Sequence, residues 1–351
     1  MTRVLVARLD SLGDVLLCGP AVRAIAAAPD VDEVWMLCSS VGADAARALP
    51  GVDEVLVWDS PWITVTAPPA TPAHLAVLAA LLERASVDAA VILTSFHQSP
   101  LPLALQLRLA GVAFIAAASV DHAGTLLDVH LKPGEDFPED QPEPIRALGI
   151  AAAAGFILPG DDDGRLRMRL DAPPPTALTG LGPYVVVHPG AAATARQWPA
   201  ASHARAVRLL HGAGVQVVVT GGPDERELTA RVSGEGHRAL DLGGETRLPV
   251  LAATLAGASV AVVGNTGPAH IAAAVGTPVV SLFSPVVPAA RWAPYGVPHV
   301  LLGDQWAPCR NSRARECPVA GHPCLASVSP HEVVAAVFAL APALARQEVG
   351  A

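Results

Sequence analysis

Val260-Ala261-Val262-Val263-Gly264-Asn265-Thr266-Gly267-Pro268-Ala269-His270-Ile271-Ala272-Ala273-Ala274-Val275-Gly276-Thr277-Pro278 is the stretch on which the reading of this chain turns. Its opening apolar run reads as a strand covered on both faces, the pattern of a parallel sheet. A Gly/Asn/Thr turn then leads into an Ala-rich helix with Pro268 at its first position, where a missing N–H costs nothing. Gly276 and Pro278 stop that helix. Such a helix start carries unpaired N–H groups and a partial positive charge, and Gly267 has no side chain to keep an anion away. A phosphate suits the place. Thr266 offers it a hydroxyl, and His270, one turn in, points back toward the same end of the helix. An ordinary strand-to-helix turn with a structural histidine fits the segment alone equally well, so context decides.

At 351 residues the chain is too long for one typical core, and two domains are expected. A hydrophobic share of 52% against 16% charged residues fits a globular protein with extensive buried structure. The net charge of −9 argues against a sequence-independent nucleic-acid binder, which needs a surplus of Lys and Arg. The apolar run at residues 1–8 is broken by Arg8 and Asp10, so it reads as a first strand and not as a signal peptide. No segment approaches about 20 uninterrupted apolar residues, so no transmembrane segment is expected and the location is expected to be cytoplasmic. The five cysteines are an odd count, and Cys18 and Cys38 sit in apolar surroundings typical of small buried residues.

Strand-like and helix-like runs alternate along the chain, the pattern of an α/β fold with a parallel sheet and helices on both faces. In the first half, strands are expected at 3–8, 33–38, 54–57 and 89–94. Ligands of open α/β sheets bind beyond the carboxyl ends of strands, which singles out the loops 11–14 and 95–99. The first carries Ser11, Gly13 and Asp14; the second carries His97. Asp14 lies near a helix start, where a carboxylate serves equally as a cap or as a chemical group. His97 alone reads as a solvated loop histidine. Beyond Ala118 the pattern weakens, and the acidic, proline-broken run 135–144 reads as solvated surface. Asp171-Ala172-Pro173-Pro174-Pro175 reads as a stiff linker and a domain boundary.

The alternation restarts at Tyr184-Val185-Val186-Val187-His188, followed by Pro189-Gly190 and a loop reaching Arg196-Gln197-Trp198-Pro199. A strand at 216–220 runs into Gly221-Gly222-Pro223-Asp224-Glu225. Glu225 stands where a carboxylate takes ribose hydroxyls, but a helix start attracts carboxylates in any case. Three strands of this half thus end in Gly-containing loops, which together make a nucleotide-sized cleft rich in backbone donors. Arg196 adds a fixed positive charge for phosphate. None of the loops is a Walker loop or a G-x-G-x-x-G, which disfavours NTP hydrolysis and nicotinamide chemistry.

The order of these motifs resembles glycosyltransferase family 9, the heptosyltransferase-like enzymes that join ADP-heptose to a lipopolysaccharide core. The resemblance rests on Arg8-Leu9-Asp10-Ser11-Leu12-Gly13-Asp14-Val15-Leu16 with Pro20-Ala21, on His188-Pro189-Gly190 with Arg196-Gln197-Trp198-Pro199, and on Gly221-Gly222-Pro223. Asn265-Thr266-Gly267-Pro268-Ala269-His270 and Pro294-Tyr295-Gly296 complete it. It implies the GT-B architecture: two facing, Rossmann-like, doubly wound parallel-sheet domains with an interdomain cleft. The domains then fall at 1–172 and 184–329 around a linker at 173–183, with a last helix in 330–351 crossing back to the first domain. Carried over, the resemblance implies that Asp14 is a general base and that Arg196 stabilises the leaving diphosphate. Thr266, Gly267 and His270 then hold the phosphates, Glu225 contacts the ribose, and Gly190, Gly222, Asn265 and Pro268 belong to the same donor and nucleotide site, with Ser11, Gly13 and His97 on the acceptor side.

The implied reaction is inverting transfer of a heptose or related sugar from a nucleotide diphosphate donor, ADP-heptose first among them. The acceptor is a glycan, a lipid-linked glycan or a small molecule, and peripheral membrane association would come through it. No cofactor is expected to be required, and stimulation by a divalent ion stays open. Many family members have Asp where this chain has Asn265, which leaves room for two alternatives: a nucleotide-sugar epimerase or hydrolase of the same fold, and a non-catalytic nucleotide-sugar binder. Cys309, Cys317 and Cys324 with His322 suggest a Cys₃His metal site, but the paired C-x₂₋₄-C spacing is missing, so a structural loop is favoured and no metal is expected. Arg310, Arg313 and Arg315 in that segment either meet an anionic acceptor or lie solvated.

Overall fold

The computed structural model describes residues 2–64, 66–234 and 239–349, with side chains to residue 345. The chain divides into two compact units, Met1–Arg169 and Leu170–Ala351, just ahead of the 171–175 proline stretch. The first unit holds β1 (Arg3–Arg8), β2 (Glu33–Cys38), β3 (Glu54–Val57), β4 (Ala89–Ile92), β5 (Phe114–Ala118) and β6 (Val129–Leu131), all parallel, in the order β3-β2-β1-β4-β5-β6. The second holds β7 (Tyr184–His188), β8 (Gln216–Gly221), β9 (Leu240–Gly243), β10 (Val260–Gly264), β11 (Val279–Leu282) and β12 (His299–Leu302), also parallel, in the order β12-β11-β10-β7-β8-β9. Counted from its own first strand, each sheet runs 3-2-1-4-5-6. That is the Rossmann order, and the expected α/β doubly wound class is found in both units. The order reverses between β1 and β4 in one unit and between β7 and β10 in the other, so each sheet has one switch point where ligands bind.

The inner strands form because their side chains are apolar on both faces. Val4, Leu5 and Val6 of β1 and Val260, Ala261 and Val263 of β10 are fully out of solvent. The strands that the sequence pattern does not show are β5, β6, β9 and β12. Three of these are at sheet edges or end a sheet, short and only partly buried, so they need no continuous apolar run. The fourth, β5, is buried but ends in three alanines, which carry no β-branched signature.

The helix after β10 spans Gly267–Ala274, with Thr266 as N-cap, so Pro268 is its second residue and not its first. The chain leaves it through Gly276 at φ +83°, a left-handed conformation that glycine adopts without strain. The last long helix, Pro330–Leu340, starts on a capping box in which the Ser329 hydroxyl accepts from the Glu332 N–H and the Glu332 carboxylate from the Ser329 N–H. Its Val333, Ala336 and Val337 are buried in the core of the second unit, and burial of each valine contributes about 1.5–3 kcal/mol to its packing there. Among the described residues no helix is long and apolar enough to cross a membrane.

Candidate functional site

In the first unit, β1 ends on Arg8 and the chain turns into the short helix Leu12–Leu17. Arg8 is buried at the switch point and spends its guanidinium on four partners. Nε donates to Asp10 Oδ1 at 2.6 Å, Nη1 to Glu143 Oε2 at 3.3 Å, and Nη2 to Asp14 Oδ1 at 3.1 Å and to Ser95 Oγ at 2.7 Å. Ser95, just past β4, passes its own hydroxyl proton to Asp10 Oδ2 at 3.0 Å. Ser11 caps the helix and donates its hydroxyl to Asp14 Oδ2 at 2.6 Å. Both oxygens of the Asp14 carboxylate are therefore oriented, one by a cation and one by a hydroxyl.

The electrostatics of this cluster are set by three carboxylates crowding one guanidinium. Burial drives the Asp10 carboxyl up to about 6, Arg8 pulling it down and Asp14 adding to the rise. Burial likewise raises Glu143, against the pull of Arg8 and Arg146. Burial alone would lower the Arg8 pKa, yet Asp10, Asp14 and Glu143 together hold it well above its ordinary value. The carboxylates differ in access: the Glu143 side chain is 2% exposed, while Asp14 keeps 17%. Asp10, at 13%, lies between them, and Asp14 is the most exposed of the three.

In the second unit β7 ends on His188, whose Nδ1 lies 3.0 Å from the Thr220 hydroxyl and whose Nε2 lies 3.7 Å from Glu225 Oε2. Burial lowers the His188 pKa more than Glu225 raises it, so the imidazole is neutral at pH 7. Glu225 also accepts the Gly222 N–H at 2.8 Å. Its carboxylate lies over Gly190 so closely that a Cβ there would stand 1.8 Å from Glu225 Oε1. Arg196, at the end of the turn Thr194–Arg196, donates to the Asn265 carbonyl at 3.3 Å and so ties the loop after β7 to the loop after β10. A Cβ on Gly264 would come within 3.0 Å of the Arg196 carbonyl, so these loops meet backbone to backbone. The Thr266 hydroxyl, at the start of the helix Gly267–Ala274, is out of solvent and has no hydrogen-bond partner, and His270 is buried one turn on. The Ala269 N–H is spent on the Thr266 carbonyl at 3.0 Å, and a buried orphan hydroxyl at a helix start is a place that fits an anion's oxygen.

Of the residues singled out in the sequence, Ser11, Gly13 and Asp14 gather at the first switch point, and Gly190, Arg196, Asn265, Thr266, Gly267 and His270 at the second. His97 is exposed in the loop after β4, its ring 5.1 Å from that of Phe96. Gly222 and Glu225 lie one strand over, beyond β8, and there Glu225 takes the helix-start position that was its alternative reading. The Asn265 side-chain amide donates to the Ser284 carbonyl and accepts the Ser284 N–H, both at 3.2 Å. Arg8, Asp10, Ser95 and Glu143 were not singled out. Glu143 belongs to the run read as solvated surface, and that reading is corrected by its burial against Arg8.

Residues 162–321 match the family model "Glycosyltransferase family 9 (heptosyltransferase)". The chain is 35% identical over 124 residues to lipopolysaccharide heptosyltransferase 3 of Escherichia coli, a span covering 34% of this chain and 35% of that protein. The chain thus matches about a third of the length of the curated relatives. In fold it is similar to the glycosyl transferase family 9 protein of Veillonella parvula DSM 2008, with a TM-score of 0.73 at 17% identity over 97% of each chain. It is also similar to E. coli heptosyltransferase WaaC with ADP-2-deoxy-2-fluoro heptose, with a TM-score of 0.71 at 20% identity over 95% of this chain and 98% of that one.

Proposed function

We propose that this chain, whose residues 162–321 belong to glycosyltransferase family 9, is an inverting glycosyltransferase that moves a heptose or related sugar from a nucleoside diphosphate to an acceptor hydroxyl. The observation that carries this is the Asp14 carboxylate, held by Arg8 and Ser11 and still open to solvent. In the proposed step the acceptor oxygen attacks the anomeric carbon while Asp14 takes its proton, and the bond from that carbon to the diphosphate oxygen breaks with inversion.

The leaving diphosphate gains negative charge as it departs. Arg196, the Thr266 hydroxyl and the start of the helix Gly267–Ala274 supply fixed positive potential for it, most effectively where water is excluded. In this reading the fixed positive groups meet the diphosphate themselves, and no divalent ion is proposed. ADP-heptose is the proposed donor, supported by the ADP-2-deoxy-2-fluoro heptose of the similar E. coli heptosyltransferase structure. The proposed setting is the cytoplasm, where a lipid-linked acceptor would draw the chain to a membrane surface.

The test is mass analysis of reactions containing ADP-heptose, or GDP- and UDP-sugars, with and without a panel of glycan, lipid-linked and small-molecule acceptors. A glycosylated acceptor of inverted configuration supports transfer. Conversion of the donor in the absence of any acceptor would instead make the protein an epimerase or hydrolase, and tight donor binding with no product would make it a binder.

A further inference from the structure

The stretch 309–324 has no part in the proposed chemistry, and among the described residues no cluster of His, Cys, Asp or Glu has the geometry to hold a metal ion. Its cysteines face inward. Cys309 and Cys324 are buried in the second unit's core, and the Cys317 thiol donates to the Val319 carbonyl at 3.3 Å. What faces the other way is a set of hydrogen bonds to the loop after β7, the loop that carries Arg196. The Arg315 carbonyl accepts the Ala195 N–H at 3.0 Å and the Thr194 hydroxyl at 3.3 Å. The Arg315 guanidinium donates to the Ala192 carbonyl at 3.0 Å. His322 Nε2 lies 3.0 Å from the Ala195 carbonyl, which only accepts, so that nitrogen carries the proton.

The stretch is itself tied down. Asn311 and Arg313 donate their N–H groups to the carbonyls of Pro285 and Val286, both at 2.8 Å, and so anchor it to the segment after β11. Asn311, Arg313 and His322 adopt φ of +60°, +56° and +49°, a left-handed backbone that non-glycine residues keep only where their surroundings enforce it. On its far side the Arg196 loop is closed by the Gln197 amide donating to the Ala191 carbonyl at 2.8 Å and is seated against Gly264. Loops joined only to their own strands move readily; this one is gripped along 192–195.

We infer that residues 309–324 form a strap that fixes the Arg196 loop, and that Arg315 and His322 are positioning residues which act on Arg196 through the backbone of 192–195. The role in diphosphate binding rests on the proposed transferase function, whereas the strap itself does not. Arg315 is exposed, so truncating it leaves the core untouched.

The test compares the full chain with its Arg315→Ala and His322→Ala variants. Hydrogen exchange is followed in peptides spanning 190–198 and in β10, and ADP and inorganic pyrophosphate affinities are measured by calorimetry. Loss of either contact is expected to speed exchange in 190–198 about fivefold with β10 unchanged, and to raise the ADP dissociation constant by about five- to tenfold. In turnover assays the donor KM should rise more than kcat falls. Arg315→Lys and His322→Gln, which keep a donor nitrogen, should recover most of the loss. Unchanged exchange in both alanine variants would overturn the strap. Faster exchange with unchanged ADP affinity would overturn the positioning role. If the unaltered chain binds neither ADP nor pyrophosphate, the transferase proposal falls together with that role, and the exchange rates still decide the strap.

Discussion

Arg8 and His188 hold the same place in two copies of one topology. Each is the last residue of the strand that opens its sheet, and each is buried at the point where strand order reverses. Their surroundings differ in kind. Arg8 is a permanent cation enclosed by Asp10, Asp14 and Glu143, and the site around it is built from side chains. His188 is a neutral ring leaning on a threonine hydroxyl, and the site around it is built from glycines, backbone groups and Arg196. The shared fold decides where ligands go; the residue closing the first strand decides which chemistry waits there. The proposed transfer would use the first for a proton and the second for an anion.

The largest effect that contrast predicts is on turnover. Asp14→Asn keeps an oxygen for Arg8 but accepts no proton, so the rate of transfer should fall by about 10²–10⁴-fold with little change in ADP affinity. A drop in ADP affinity of comparable size would place Asp14 in the donor site and dissolve the division of labour. Next in size is Arg8→Met, which leaves three carboxylates around an uncharged side chain at a buried position. The loss of folding stability should be about 3–5 kcal/mol by urea titration, the cost of stranding buried charges. His188→Gln removes no charge, so the same titration should show a clearly smaller loss. Equal losses would mean that the two positions are not as different as their partners indicate.

How much of this was legible in the sequence follows from the range over which each signal acts. The inner strands β1, β2, β4, β7, β8, β10 and β11 announce themselves because burial on both faces demands local apolar runs. Asp14 is legible for a similar reason, standing just beyond a strand end in an open α/β pattern. Glu143 is not, since nothing within its own acidic, proline-rich neighbourhood shows that Arg8, 135 positions away, will bury it. Asn265 was legible as unusual for the family the chain resembles but not as to cause. Its amide must donate to one group of Ser284 and accept from another, a demand visible only once β10 and β11 are paired.

That demand predicts an asymmetry between the halves. Asn265→Asp places a carboxylate at a site 4% exposed where it can accept the Ser284 N–H but cannot donate to the Ser284 carbonyl. A loss of about 1–3 kcal/mol is expected, the usual cost of an unsatisfied buried group. The reverse exchange in the first unit, Asp10→Asn, removes one charge from a cluster already crowded with carboxylates, and its cost should stay below that of Asn265→Asp. Chemical denaturation of the two variants side by side measures the difference, and a more stable Asn265→Asp protein would refute the account of that pair.

Acid should separate the two units, because their buried groups are shifted in opposite senses. The Asp10 pKa is raised by burial to about 6, so between pH 4 and 6 the folded first unit binds more protons than the unfolded chain. This contribution to stability is present at low pH and lost as pH rises through 6, and it is about 1 kcal/mol at pH 5 relative to pH 7. In the second unit His203, buried against the Trp198 ring at 4.8 Å, has its pKa lowered by burial to about 3, with His188 adding to the drop. The folded state there binds fewer protons than the unfolded chain below the ordinary histidine value of 6.5. Stability is therefore lost as pH falls through that value, by about 2 kcal/mol at pH 5. Hydrogen exchange followed from pH 7 to 5, corrected for the intrinsic dependence of exchange on pH, should show β7 and β8 losing protection relative to β1 and β4. His203→Gln should remove the loss in the second unit, and Asp10→Asn should remove the gain in the first. A parallel decline in both units, insensitive to either substitution, would show that acid acts on some group common to the two and not on the buried residues that distinguish them.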